Sequence, residues 1–105
     1  FYAGVRPSRK IADITDAEFK RIYQGVKKIL TSAIASRGTS ADSYLDAYGK
    51  QGTFVPKLKV YGREGKKCLS RRSSNGAKGD VRCGGTVVKE KLGGRGTYWC
   101  PSCQK

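Results

Sequence analysis

Cys83-Gly84-Gly85-Thr86-Val87-Val88-Lys89-Glu90-Lys91-Leu92-Gly93-Gly94-Arg95-Gly96-Thr97-Tyr98-Trp99-Cys100-Pro101-Ser102-Cys103 decides the fold of this 105-residue chain. Gly84 to Leu92 reads as a strand, Gly93 and Gly94 can reverse the chain, and Thr97-Tyr98-Trp99 form the return strand of a β-hairpin. The hairpin ends in Cys100-Pro101-Ser102-Cys103, a knuckle that presents two thiolates from one tight turn. Sixteen residues separate Cys83 from Cys100, a spacing found in zinc ribbons. The fourth thiol, Cys68, is separated from Cys83 by fourteen residues, where an ordinary ribbon has two. Lengthening that loop costs roughly 2 kcal/mol of closure entropy, against on the order of 10–16 kcal/mol supplied by a structural zinc ion. The chain has no histidine, and nothing supports the secreted setting that two disulfides would need. The expectation is one structural zinc held by Cys68, Cys83, Cys100 and Cys103, a closed shell with no open position for activating water.

Upstream the apolar period changes. Phe19, Ile22, Tyr23, Val26, Ile29, Leu30, Ala33 and Ile34 recur at three and four spacing, which predicts an amphipathic helix over Thr15–Ser36. Thr15-Asp16-Ala17-Glu18 fits a capping box at its start, and Gly38 suits the left-handed position after Arg37. Gly25, in mid-helix, costs about 1 kcal/mol relative to Ala, so a close approach is expected there. Val5-Arg6-Pro7-Ser8 reads as a turn, and residues 40–48 as a short helix. Gly49 to Thr53 reads as a polar, mobile loop. Leu58 and Val60 alternate with lysines as a short strand. Residues 69–82, nearly without apolar side chains, read as a flexible basic loop. The fold class is therefore small α+β: a mainly helical part over 1–56, then a β-hairpin zinc ribbon over 57–105.

Charge points to a partner. Lys and Arg number 22 against 8 Asp and Glu, a net +14, and so much charge on a small body repels itself unless a polyanion shares the space. Residues 57–95 hold twelve of the basic residues against Glu64, Asp80 and Glu90, or +9. Zinc with four thiolates would lower the total only to +12. Nucleic acid is the first candidate, and a merely solvated basic surface is the alternative. No apolar run is long enough to span a bilayer, and Phe1-Tyr2-Ala3 is not an initiator sequence, so the chain is expected to be a soluble part of something longer. Lys89 and Lys91 on the hairpin are expected to attract phosphates rather than read bases. Tyr98 and Trp99 either stack on a base or form the small core of the finger.

Val60-Tyr61-Gly62-Arg63-Glu64-Gly65-Lys66-Lys67-Cys68, Cys83-Gly84-Gly85-Thr86 and Gly93 to Gln104 resemble the zinc-finger end of the formamidopyrimidine-DNA glycosylases. Tyr2-Ala3-Gly4-Val5-Arg6-Pro7, the long helix and Arg37-Gly38-Thr39-Ser40 are similar to the second half of that family's helix-two-turns-helix domain. The resemblance implies a bifunctional glycosylase and AP lyase that flips oxidised purines such as 8-oxoguanine and formamidopyrimidines from damaged duplex DNA, excises them, and nicks the strand. It implies a bacterial cytoplasmic, nucleoid-associated protein engaged in base excision repair. Arg95 matches the arginine that grips phosphates beside the lesion and is implicated in δ-elimination, with an exposed turn residue as the alternative. Tyr61 matches a tyrosine that contacts the DNA backbone, with an ordinary packed strand residue as the alternative. Gly49, Gly52, Thr53 and Phe54 match the loop that closes over an everted base, with a plain linker as the alternative. Two departures limit the transfer. The family's N-terminal proline nucleophile and catalytic glutamate have no counterpart, since Pro7, Pro56 and Pro101 are internal. The catalytic domain is thus expected either in cis or as a separate chain, and this chain alone is expected to bind DNA without excision. The twelve extra residues between Cys68 and Cys83 are also unlike the family pattern; they either add phosphate contacts through Arg71, Arg72 and Lys78 or are inert. A stand-alone zinc-ribbon binder of DNA or RNA, unrelated to repair, is the rival reading.

Overall fold

Thr15 begins the dominant element, helix α1 (Asp16–Ala35), with the capping box in place: Glu18 N–H donates to Thr15 Oγ1 at 3.3 Å, and Thr15 N–H donates to Glu18 Oε2 at 3.0 Å. The computed structural model describes residues 1–39, 45, 47–73 and 80–105. Arg9 braces the same carboxylate with both guanidinium nitrogens, at 2.7 and 3.1 Å. These bonds, led by the one from Arg9 and followed by that from the Thr15 amide, hold the Glu18 carboxyl at about 2, below its ordinary 4.5. A carboxylate depressed on folding stabilises above its unfolded pKa, and that contribution is lost as pH falls from about 4.5 toward 2. Glu18→Gln should therefore flatten the acid limb of helix melting. The check is circular dichroism of both chains at pH 6 and pH 3, and an equal loss in the two would rule the contribution out.

The helix ends in a Schellman motif. Gly38 N–H reaches the Ala33 carbonyl at 2.8 Å and Arg37 N–H the Ile34 carbonyl at 2.9 Å. The first left-handed residue is Arg37, at φ 58°, one place before the glycine that the sequence suggested. Ser36 caps the helix, so the reversal begins a residue earlier. The close approach expected at Gly25 is present: a Cβ there would lie 2.7 Å from Tyr2 Cδ1, and Gly25 is the one buried residue of α1.

Among the described residues, most of the apolar stripe of α1 is uncovered. Phe19, Tyr23, Val26, Ile29, Leu30 and Ile34 are exposed, and Ile22, Val26, Ile29 and Leu30 line one wall of a groove of about 510 Å³ whose other wall includes Tyr2 and Val5. The Cα radius of gyration is 15.5 Å, against about 13 Å for a compact domain of this length. The core sits elsewhere, in Phe54, Cys68, Val87, Trp99 and Cys100.

Past α1, Gly52 to Phe54 dock on the helix end. Thr53 N–H donates to the Ser36 carbonyl at 2.8 Å and Phe54 N–H to the Gly38 carbonyl at 3.2 Å. The strand expected at Leu58 and Val60 does not form. A 3-10 turn, Val55–Lys57, with Pro56 in its first positions, occupies the approach instead, and no neighbouring strand pairs with this segment among the described residues. The short helix expected over 40–48 falls mostly outside the described residues.

Two antiparallel ribbons complete the chain. Strands β1 (Arg71–Ser73) and β2 (Asp80–Arg82) pair with each other, as do β3 (Val88–Leu92) and β4 (Arg95–Trp99). The basic loop expected over 69–82 is thus a ribbon at both its ends. Lys67 lies opposite Thr86, and Arg71 opposite Arg82. Between them Cys68 N–H bonds the Gly85 carbonyl at 2.8 Å and Cys83 N–H the Ser70 carbonyl at 2.9 Å. The same offset recurs in the isolated Lys67–Thr86 bridge and in β1–β2, but the ladder is interrupted between them, where Ser70 N–H turns to Cys68 Sγ and Gly84 takes a left-handed φ of 70°.

The last residues tie the finger to the helical part. Arg6 N–H donates to the Lys105 carbonyl at 2.8 Å, and Lys105 N–H to the Gly4 carbonyl at 2.9 Å. The buried Gln104 accepts from Cys100 N–H at 2.9 Å and donates to the Val5 carbonyl at 3.0 Å.

Candidate metal centre and nucleic-acid interface

Cys68 and Cys83 stand at the base of the first ribbon, where Cys83 N–H bonds the Ser70 carbonyl and Cys68 N–H the Gly85 carbonyl. Cys100 and Cys103 come from the turn after β4. All four sulfurs lie within 4.8 Å of one another, with Cys68 Sγ 3.6 Å from Cys103 Sγ and Cys83 Sγ 3.8 Å from Cys100 Sγ. Zinc–sulfur bonds of about 2.3 Å in a tetrahedron separate the sulfurs by about 3.8 Å, so this thiol set fits one structural zinc. Ser70 N–H points at Cys68 Sγ from 3.4 Å, the kind of outer bond that orients a thiolate ligand. Burial pushes the Cys68 thiol up, and burial with hydrogen bonding to its neighbouring thiols pushes Cys103 up further. Burial also works to raise Cys100, but bonds from the Ser102 amide and the Cys68 thiol outweigh it and bring Cys100 down to about 7. Zinc binding must displace the remaining protons and is favoured as pH rises.

Gly93 and Gly94 make the turn between β3 and β4 with φ of 53° and 81°, the paired positive values of a type I′ hairpin turn. Arg95 follows at once, exposed and opposite Leu92. The alternation then divides the expected DNA contacts. Lys89 is opposite Tyr98 and Lys91 opposite Gly96, on one face, while Arg95, Thr97 and Trp99 occupy the other. Tyr61 joins the lysine face. It is exposed and meets Tyr98 edge-on, with ring centroids 5.4 Å apart, and the Lys89 ammonium lies 5.5 Å from the Tyr98 ring centre. Arg95 and the pair Lys89 and Lys91 therefore stand on opposite faces of the ribbon.

Trp99 is core, only 7% exposed. The Arg6 guanidinium stacks 4.4 Å from its ring centre and reaches Glu90 at 3.7 Å. Gly49 has open space around its α-carbon, whereas Gly52, Thr53 and Phe54 are held against α1, so the expected loop is mobile at most in its first half. Sequence reasoning missed the long-range partners of Arg6 and Gln104, Glu90 and Val5, which lie 84 and 99 residues away with no local pattern to announce them.

Residues 81–105 match the family described as the zinc finger found in FPG and IleRS. The formamidopyrimidine-DNA glycosylase of Listeria monocytogenes serotype 4b (strain F2365) is 41% identical over all 105 residues, which correspond to 34% of that protein. That of Carboxydothermus hydrogenoformans is 38% identical over the same span, 35% of its length. The chain matches the C-terminal part of the formamidopyrimidine-DNA glycosylases. It spans about one third of the length of these glycosylases. Among solved glycosylase structures, Lactococcus lactis Fpg in complex with DNA containing an abasic site superposes with a TM-score of 0.79 at 31% identity, over 99% of this chain and 34% of that one. The MutM (Fpg) protein of Thermus thermophilus gives 0.80 at 31%, over 98% and 35%. The glycosylase likeness thus covers both the helical part and the finger. Among the described residues, no helix is long and apolar enough to cross a membrane.

Proposed function

We propose that this chain is the DNA-gripping part of a formamidopyrimidine-DNA glycosylase and AP lyase that removes oxidised purines from duplex DNA in the bacterial cytoplasm. The carrying observation is the whole-length likeness to Fpg, whose solved relative holds abasic-site DNA, together with Arg95 projecting at the tip of a zinc-held hairpin. A guanidinium there carries charge at every working pH and can clamp a phosphate with two parallel bonds. Arg95 is assigned the phosphate beside the damaged nucleotide and a part in δ-elimination; Tyr61, Lys89 and Lys91 are assigned the flanking backbone. Gly49, together with the docked Gly52, Thr53 and Phe54, is assigned the lesion loop. The bare apolar face of α1 is the seat of the rest of the glycosylase fold, in cis or as a separate chain, because two thirds of the relatives' length has no counterpart here. Without the proline nucleophile and the glutamate of that part, the chain alone binds DNA but excises no base; release of 8-oxoguanine by it would defeat this assignment.

The test is binding to a duplex carrying an abasic-site analogue and to the matching intact duplex, for this chain and for Arg95→Ala. A charged contact of this kind is worth about 1.5–3 kcal/mol, so the variant should bind the abasic duplex roughly ten- to a hundredfold more weakly and lose its preference. Equal affinity of the unsubstituted chain for both duplexes would point instead to a zinc-ribbon binder without a repair role.

A further inference from the structure

The β3–β4 hairpin has a second face, built differently from the one that carries Arg95. Glu90 and Trp99 lie on the Arg95 face, where Arg6 covers the indole and reaches the Glu90 carboxylate at 3.7 Å. The one acid of the two strands is thus turned away from Lys89 and Lys91, which are exposed on the opposite face and have no carboxylate partner among the described residues. Gly94 and Gly96 carry no side chains, and beside them opens a hollow of about 300 Å³, bordered also by Lys89, Glu90 and Lys91. The Lys89 chain crosses Gly96, since a Cβ there would stand 2.9 Å from Lys89 Cε, and its ammonium lies 5.5 Å from the Tyr98 ring centre. Against Tyr98 stands Tyr61, at the corner of a turn closed by Arg63 N–H on the Val60 carbonyl at 3.1 Å, with Gly62 left-handed at φ 66°. Tyr61 is 60% exposed and meets the Tyr98 ring at 69°, an edge contact that leaves a ring face open.

We propose that this face binds an unpaired stretch of DNA, with Lys89 and Lys91 on its phosphates around the hollow and one of its bases stacked on Tyr61. It rests on the DNA-binding reading above and deepens it: the backbone assigned to these three residues belongs to a single strand. An open aromatic ring beside cations suits unpaired bases, because stacking needs the free face of a base. An intact duplex offers no such face, since its grooves display base edges only. An acidic protein surface would satisfy the lysines and leave the Tyr61 ring unused. The net charge of +9 over residues 57–95 favours a polyanion. The two faces of one hairpin then take two states of DNA, paired on the Arg95 side and unpaired on the lysine side.

The experiment measures binding of a labelled oligothymidylate and of the abasic duplex by the zinc-loaded chain and by Tyr61→Ala, Tyr61→Phe, Lys89→Gln/Lys91→Gln and Arg95→Ala, with zinc content determined on each. Tyr61→Ala should bind the oligothymidylate roughly five- to a hundredfold more weakly, with its zinc and its preference for the abasic duplex retained. Tyr61→Phe keeps the ring and loses only the hydroxyl, so it should match the unsubstituted chain. The lysine pair should lower the log–log salt slope for the oligothymidylate by about 1.4, or about 0.7 for each contact to a single strand. Arg95→Ala should lose affinity for the duplex and keep it for the oligothymidylate. No binding of the oligothymidylate, an unchanged affinity in Tyr61→Ala, an unchanged slope in the lysine pair, or a loss in Tyr61→Phe equal to that in Tyr61→Ala overturns the single-strand face and leaves the Arg95 reading standing. Tighter binding of oligouridylate than of oligothymidylate gives the face to RNA and overturns it as well. Failure of the unsubstituted chain to bind either DNA overturns both readings.

Discussion

Cys100→Ser should empty the metal centre and unfold the finger. Cys100 is fully buried, 3.8 Å from Cys83 Sγ, and its amide is held by Gln104. A structural zinc contributes on the order of 10–16 kcal/mol, as much as or more than the whole stability of about 5–15 kcal/mol usual for a domain. Among the described residues, the buried side chains of the finger are only Cys68, Val87, Trp99, Cys100 and Gln104, with little else to hold β3 against β4. Metal analysis should fall from one zinc per chain to near zero. The near-ultraviolet signal of Trp99 and amide protection in Val88–Leu92 and Arg95–Trp99 should vanish, and a strong chelator should do the same to the unsubstituted chain. Retention of both zinc and Trp99 signal in the variant would mean that the four thiols are not the ligand set.

Gly52→Ala should be the most damaging small change outside the finger. A Cβ at Gly52 would collide with the Gly38 carbonyl oxygen and stand 2.7 Å from that of Arg37. Both are backbone atoms locked in the Schellman motif and cannot rotate away. The segment must lift, which breaks the bonds from Thr53 to Ser36 and from Phe54 to Gly38 and exposes the Phe54 ring, now 7% exposed. Losing that burial costs about 1.5–3 kcal/mol, and the bonds roughly 1 kcal/mol more, so a loss of about 2–4 kcal/mol is expected in urea denaturation. Gly49→Ala is the control. Gly49 has a φ of 71° but nothing within 4 Å of its added carbon, and its strain should cost about 1 kcal/mol. Equal losses in the two variants would remove the steric argument.

Both predictions concern places that the sequence marked unevenly. The zinc ligands, the glycine turn before Arg95 and the capping box were legible because each is a local device: a residue type at fixed spacing whose chemistry needs no distant partner. The apolar stripe of α1 was legible as a helix but not as a bare face, since periodicity says which side is apolar and not what covers it. Leu58 and Val60 alternate as a strand does, yet alternation without a partner strand makes no ladder. Arg71–Ser73 and Asp80–Arg82 have the composition of a loop because their strand character comes from pairing with each other, which side-chain hydrophobicity does not encode. The division of Arg95 from Lys89 and Lys91 was within reach, since β-alternation and the turn position fix which residues share a face. The clasp of Arg6 on Trp99 was not.

The recurring offset of the first ribbon also makes that arm modular. The Lys67–Thr86 bridge and the rungs of β1–β2 share that offset, so residues added or removed in equal numbers on the two sides, beyond Ser70 and Cys83, leave Cys68 and Cys83 where they are. Length there is a free variable. Descendants of one finger can lengthen or shorten this arm in paired steps and leave the spacing of the metal centre and the Arg95 hairpin as it is.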